Sequence, residues 1–498
     1  MKKLFTLLAF TAAMAVAHGQ TSEVPFTVIS KVGEAGPRVV AVSVDFGKTL
    51  PINWKLEKAF SVNAELQPVK SYAGHLIANS AVAKAPRTIK RAYTSAKPEM
   101  GSPSQGRYVI IEMDQDDINA ASWYPGFNPS IRQMISYKDN IKYEISLLHD
   151  LNVVSPNISP TQPGSAVELL KAGVTFKQAD SRIQTVEKFT QGVFRIPENP
   201  QTKFIGYNFY KPSDLSSNVK IPLVVFLHGS GQSHDYTHFP NDETADVLSP
   251  LLANQGGVTW VERGPEKVYV LVPQAPARDT RDPAGEWGWR GADTQKLLLG
   301  LIDKIVAENP NIDTNRLYLT GLSMGAIGSW KIITNSDPKI SKKFAAAALF
   351  NGIPTGGLFP ISGETPQQRD ARVLNEVKAV PYRNVSIPVW ITHADTDPVV
   401  SRIGSRVPFA LLVDQGEVDA SGELVPSKGT LKKSNAYERR YEGVGKTHKN
   451  AIRYTEYPFG NGDQFHELGM VTRNGHFSWE ISYKDQEIIN WMFAQKKR

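Results

Sequence analysis

From about Val186 to the C-terminus, continuous apolar runs alternate with segments of helical period, and this alternation narrows the possible folds more than any other feature of the chain. IPLVVFL at 221–227 and VYVLV at 268–272 carry no charged residue, as expected of strands covered on both faces. Between Thr294 and Asn309, apolar residues fall at 298, 301, 302, 305 and 306, the spacing of one buried helix face. RLYLT at 316–320, a helix from Met324 to Asn335 and FAAAALF at 344–350 continue the order. VWIT at 389–392, IRYTEY at 452–457 and a closing helix from Gln486 to Ala494 complete it. Strand–helix alternation of this kind implies an α/β fold, a mostly parallel sheet with helices on both faces, over 186–498.

The preceding residues have a different texture. Between Thr21 and Asn157, short β-type runs are separated by polar and Pro/Gly turns. The runs are the valine-rich Val39 to Phe46, RYVIIEM at 107–113 and the segment from Tyr143 to Val154. This pattern predicts a smaller all-β sandwich over 21–157. Residues 158–185, with Pro160 and Pro163, read as a junction. A length of 498 residues suits two or three domains.

Residues 1–20 have the form of a cleaved export signal. Lys2 and Lys3 precede an apolar run from Leu4 to Val16, which ends in the small residues Ala15-Val16-Ala17. The run is shorter than the ~20 residues a spanning helix needs. The expected location is therefore outside the cytoplasm, secreted or periplasmic, with no membrane association after cleavage. The chain has no cysteine. Disulfide scaffolds, thiolate metal sites, cysteine nucleophiles and an acylated N-terminal cysteine are all excluded. Loss of Lys2 and Lys3 lowers the net charge from +7 to +5. The remaining basic pairs, such as Lys432-Lys433 and Arg439-Arg440, are short and separated. A nucleic-acid partner is not expected.

Gly321-Leu322-Ser323-Met324-Gly325 is the single G-x-S-x-G of the chain, and it joins a strand to a helix. A tight turn there exposes the serine oxygen beside a helix N-terminus, the arrangement of a nucleophile elbow. A serine hydroxyl needs a base. Four histidines follow Ser323: His393, His448, His466 and His476. Of these, His476 lies in a loop just before the last helix, where the base belongs in the chain order Ser, acid, His. His393 ends a strand and reads as structural, and His466 is the fallback base. Asp395 and Asp397, past the strand VWIT, both qualify as the acid. Leu227-His228-Gly229-Ser230-Gly231 ends the first apolar strand and can aim the Ser230 N–H at a developing oxyanion, with Met324 N–H as the second donor. His228 reads as an organiser of that loop. Trp287, Trp289 and Trp479 are candidate substrate-binding residues or packing anchors. The stretch 407–450 reads either as a pocket rim or as a surface insertion.

Together these pieces resemble the secreted α/β-hydrolase esterases of the predicted-peptidase, feruloyl-esterase and polyhydroxybutyrate-depolymerase-like type. The matching segments are FLHGSGQ (226–232), NIDTNRLYLTGLSMGA (311–326), VWITHADTDPVV (389–400), RYTEYP (453–458), GHFSWE (475–480) and WMFAQ (491–495). The resemblance implies an α/β-hydrolase fold and a catalytic set of Ser323, Asp397 and His476. Asp397 is selected over Asp395 by the family pattern H-G-x-x-D-x-V-V. It implies a serine carboxylesterase that uses no metal or cofactor. The expected substrate is an acyl or hydroxycinnamoyl ester, carried by a plant polysaccharide or a small molecule. The residues before 158 are similar to the immunoglobulin-like module that some of these esterases carry. A prolyl-oligopeptidase-type peptidase is the alternative enzyme, but its propeller needs more than the residues available before 186. A carbohydrate-binding or adhesion protein with an inert hydrolase domain is the alternative outside enzymes.

Overall fold

The computed structural model describes residues 23–497 except 34–35, 54, 67–68, 71–75, 78–83, 118, 121–124, 129–132, 137–140, 155–166, 197–203, 217, 235–246, 277–285, 357–361, 415–416, 420–423, 426–429 and 461–473. The expected export signal and His466 lie outside the described residues.

The first domain is a sandwich. One sheet has the order Phe176–Ile183, Val24–Gly33, Gly36–Leu50, Gly106–Met113, Ile89–Ser95. The other has the order Ile141–Leu147, Phe60–Leu66, Lys84–Pro86. Alternate residues of each strand point inward, as the two-residue repeat of a strand requires. Val28, Val42, Val44, Val109 and Ile111 from the first sheet meet Phe60, Val62, Tyr143 and Ile145 from the second. Arg87 is buried in this core without being isolated. It donates to Asp117, to the carbonyls of Val39 and Asp114, and to the Tyr143 hydroxyl.

Within the expected junction at 158–185, the described residues from 167 onward carry two strands. Val167–Leu170 pairs with Leu151–Val154, and Phe176–Ile183 pairs in parallel with Val24–Gly33 at the sheet edge. Phe176–Ile183 has no fully buried residue, so an edge strand of this kind lacks an apolar signature.

The second domain is built on a ten-stranded sheet. Its centre runs Tyr269–Gln274, Ile221–Leu227, Ile312–Leu322, Ala346–Phe350, Val389–Ala394, Ala451–Tyr457, all parallel. Every residue of Ile221–Leu227 is buried. Leu223, Val225 and Leu227 face one core with Leu298, Ile327 and Trp330 from helices Ala292–Glu308 and Met324–Ile333. Val224 and Phe226 face the other, with Trp260, Tyr483 and Met492. Each such side chain contributes about 1.5–3 kcal/mol by leaving water. Helices therefore cover both faces, and the described strands form an α/β-hydrolase architecture.

Two strands within 407–450 extend this sheet. Arg439–Val444 pairs antiparallel with Ala451–Tyr457, and Leu431–Ser434 pairs with Arg439–Val444.

The two domains touch. Val32, at the end of Val24–Gly33, packs in the same core as Leu252 and Trp260 of the second domain. Thr185 Oγ1 donates to Glu262 Oε1 at 2.7 Å. Strand Gln133–Ser136 of the first domain also runs beside the short turn Ser230–Gln232 of the second, with Cα atoms within 8 Å.

Candidate active site

Parallel strands bring their C-terminal ends to one edge of the sheet, and side chains from separate loops converge there. Ser323 follows Ile312–Leu322, Asp397 follows Val389–Ala394, and Ser230 follows Ile221–Leu227. His476 lies in the 3-10 turn Gly475–Phe477.

Ser323 has φ 50° and ψ −118°, a strained combination for a residue with a Cβ. Its N–H donates to Phe350 O at 2.9 Å, and its C=O accepts from Ile327 N–H at 3.0 Å. The backbone is thus held from both sides while the hydroxyl stays outside the helix. The turn also needs Gly325, because a Cβ there would stand 1.9 Å from Leu227 O.

His476 Nε2 lies 3.0 Å from Ser323 Oγ, and His476 Nδ1 lies 2.8 Å from Asp397 Oδ2. A carboxylate only accepts, so Nδ1 carries the proton and the Nε2 lone pair faces the serine. The His476 N–H donates to Asn474 Oδ1 at 2.9 Å, which pins the turn. The Trp479 ring stands edge-on to the His476 ring, with centroids 5.0 Å apart.

The Asp397 side chain is fully buried yet amply satisfied. Oδ1 accepts from Val399 N–H at 2.8 Å and Val400 N–H at 2.9 Å. Besides His476, Oδ2 accepts from Asn351 Nδ2 at 3.2 Å and stands 3.2 Å from His393 Nε2. Burial alone would raise its pKa. Electrostatic attraction to His476 and the bonds from His393 and His476 outweigh burial and hold the carboxyl well below its ordinary range. Asp395 does different work. Its Oδ1 accepts from Phe459 N–H at 2.8 Å, and its backbone oxygen accepts from Arg402 at 2.8 Å.

The HGSG loop lies against the elbow, since a Cβ on Gly229 would stand 3.7 Å from the Ser323 Cβ. Ser230 and Met324 each open a helical turn, where backbone N–H groups have no intrahelical partner. Two such donors flank Ser323. His228 is fully buried. Its Nε2 accepts from Ala275 N–H at 2.9 Å and its Nδ1 contacts Gly229 O at 2.6 Å, so the neutral ring is the one that fits. Burial pulls its pKa down to about 4. Gln274 Nε2 donates to Gln232 O at 3.1 Å and closes the loop.

Trp289 is not available to a substrate. It is 0% exposed, and its Nε1 donates to His228 O at 3.0 Å, so of its two expected roles the structure fits the packing anchor, here for the HGSG loop. Trp287 and Trp479, each 6% exposed, are also packed, with Trp479 against His476. Asn351, His393, Gln274 and Ala275 were not singled out by sequence reasoning as parts of the site. The available signal for His393 and Ala275 was their position at strand C-termini. Among the described residues, no three His, Asp or Glu side chains converge as a set of metal ligands.

Comparison with known proteins decides the first domain. Residues 25–160 match the family model of the esterase Ig-like N-terminal domain. The Ig-like domain and the α/β domain together share their fold with a thermostable esterase of known crystal structure. That likeness has 24% identity and a TM-score of 0.61, and covers 95% of this chain and 99% of the other. Weaker likenesses include Pyrococcus horikoshii acylaminoacyl peptidase (13% identity, TM-score 0.37, 93% of this chain and 70% of that one). Another is a carboxylesterase from Lactobacillus plantarum (16% identity, TM-score 0.29, 44% of this chain and 75% of that one). No curated protein matches the sequence.

Proposed function

We propose that the protein is a serine carboxylesterase, exported by its N-terminal signal. The observation that carries this reading is the chain of contacts from Ser323 Oγ to His476 Nε2 at 3.0 Å and from His476 Nδ1 to Asp397 at 2.8 Å. The match of the Ig-like domain to an esterase-associated family supports the substrate type. In the proposed reaction, Ser323 Oγ attacks the ester carbonyl carbon while its proton passes to His476 Nε2. Asp397 orients the ring and stabilises the imidazolium. The carbonyl oxygen becomes an oxyanion facing the N–H groups of Ser230 and Met324, each worth about 3–4 kcal/mol in such a role. His476 then protonates the departing alkoxide, which leaves an acyl-serine. Water gives a proton to His476, attacks the acyl carbon and releases the acid, and the proton returns to Ser323.

The finer reading is an acyl or hydroxycinnamoyl ester of a plant polysaccharide, or a small ester. Kinetics on acetyl, butyryl and feruloyl esters beside a peptide amide test it. Ester turnover that disappears in Ser323→Ala is expected. A clear preference for the amide would replace the esterase reading with the peptidase one. Ester turnover unchanged in Ser323→Ala would remove the mechanism.

A further inference from the structure

We propose that Asn351 is a positioning residue that locks the acid to the histidine loop; this rests on the Ser323–His476–Asp397 reading above. Asn351 is fully buried and directly follows strand Ala346–Phe350. Its Nδ2 reaches Asp397 Oδ2 at 3.2 Å, Gly475 O at 3.1 Å and Ser478 Oγ at 2.8 Å. Its Oδ1 accepts from the Ser478 hydroxyl at 3.0 Å. One amide therefore ties the carboxylate to the two residues that bracket His476 and Phe477. Its own N–H donates to Thr392 O at 2.9 Å, and the preceding Phe350 O receives the Ser323 N–H at 2.9 Å. Nucleophile, acid and base loops thus meet at this position.

The residue type follows from two demands. Asn351 has φ 50°, in the left-handed region, where asparagine is among the least strained residues with a side chain. The site also calls for a neutral donor. A lysine would add charge beside His476 and His393, and an aspartate would add a second carboxylate beside Asp397. The amide donates to Oδ2 without changing the charge of the cluster.

The experiment measures labelling of Ser323 by a fluorophosphonate across pH, in the full chain. This readout depends on the serine and its base, not on the ester class. Asn351→Gly keeps the left-handed backbone and removes the amide. It is expected to lower the labelling rate roughly 10–100-fold, the cost of a catalytic group displaced by about an ångström. Asn351→Asp keeps the shape but replaces the donor with a carboxyl group facing Asp397, His476 and His393. Two carboxylates that close cannot both ionise. On the acidic side the new carboxyl keeps its proton and donates as the amide does. On the alkaline side it loses the proton and repels Asp397. The variant is therefore expected to label near the wild-type rate in acid and to fall behind progressively as pH rises. A purely structural role would leave the shape of the profile unchanged. If Asn351→Gly fails to fold, the profile of Asn351→Asp decides alone. A wild-type profile in Asn351→Asp overturns the proposal. Wild-type protein that labels at Ser323 but hydrolyses no ester would sink the esterase reading and leave this measurement intact.

Discussion

The His228 and Trp289 rings meet edge-on, with centroids 5.0 Å apart, while Trp289 Nε1 holds the His228 carbonyl at 3.0 Å. The loop that presents Ser230 is therefore fixed from beneath by a residue that never reaches solvent. Trp289→Phe removes the hydrogen bond and keeps most of the packing. It should destabilise the protein by about 1 kcal/mol and lower kcat about tenfold, with KM nearly unchanged, because donor placement acts on the transition state. Steady-state kinetics and a urea titration measure both. A change confined to KM would return Trp289 to a substrate-contact role.

Asp395 and Asp397 lie two residues apart and face different partners. Asp397→Asn should cost about 10⁴-fold in kcat, because the amide favours the wrong His476 tautomer. Asp395→Asn removes the charge but keeps an amide oxygen that can accept from Phe459 N–H, and should cost less than about tenfold. Kinetics on the same ester rank the two. The reverse order would make Asp395 the acid.

Gly325 sits where the elbow helix crosses the end of strand Ile221–Leu227. Gly325→Ala sets a methyl group 1.9 Å from Leu227 O, and that oxygen belongs to the backbone of a central strand. The substitution should cost about 3 kcal/mol and lower kcat by separating the two oxyanion donors. Thermal unfolding and turnover of the soluble fraction test this, and wild-type values in both would exclude the close approach.

Two buried carboxylates and the buried neutral His228 govern the response to acid. Glu456 accepts from Arg406 at 2.5 Å and 2.9 Å, from Arg439 at 3.0 Å and from Tyr454 at 2.7 Å. Burial opposes its ionisation, but Arg406 leads the partners that hold its pKa below the usual range, as His476 and His393 do for Asp397. A carboxylate depressed in the fold stabilises it fully above its unfolded pKa, about 4. That stability is lost as pH falls through the folded value. The urea midpoint should be level only above about pH 7. It should begin to fall below about pH 6.5, as the unfolded chain protonates His228, which stays neutral in the fold, and should fall further below about pH 4 as the carboxylates protonate. Glu456→Gln should lower stability near pH 7 by about 3 kcal/mol, since Arg406 keeps a buried charge without its partner. The same variant should flatten the acid limb. A midpoint that rises on acidification would contradict this account.

The central sheet was legible because its strands are apolar throughout, and Ile221–Leu227 begins and ends where the sequence pattern does. Ser323 and His476 were legible because each occupies a loop whose place in the chain order is distinctive, whereas chain order left Asp395 and Asp397 open and only the family resemblance pointed to Asp397. Asn351 was not, since one asparagine at a strand end has no periodicity and its partners come from 46 and 127 residues away. Leu431–Ser434 was missed for the opposite reason. All four of its residues are exposed, so only the backbone of Arg439–Val444 defines it as a strand. Trp289 was ambiguous because indole serves packing and recognition equally well, and only its complete burial separates the two.

Gln133–Ser136 and Ser230–Gln232 are about a hundred residues apart in the chain and come from different domains, yet they run side by side. The surroundings of the Ser230 turn are therefore assembled in two instalments. The Ig-like domain emerges first during synthesis, and its strand Gln133–Ser136 cannot meet the Ser230 turn until strand Ile221–Leu227 has been made and has joined the sheet. The rim beside the turn is complete only when both domains are folded and docked, which makes the finished rim a product of the whole chain.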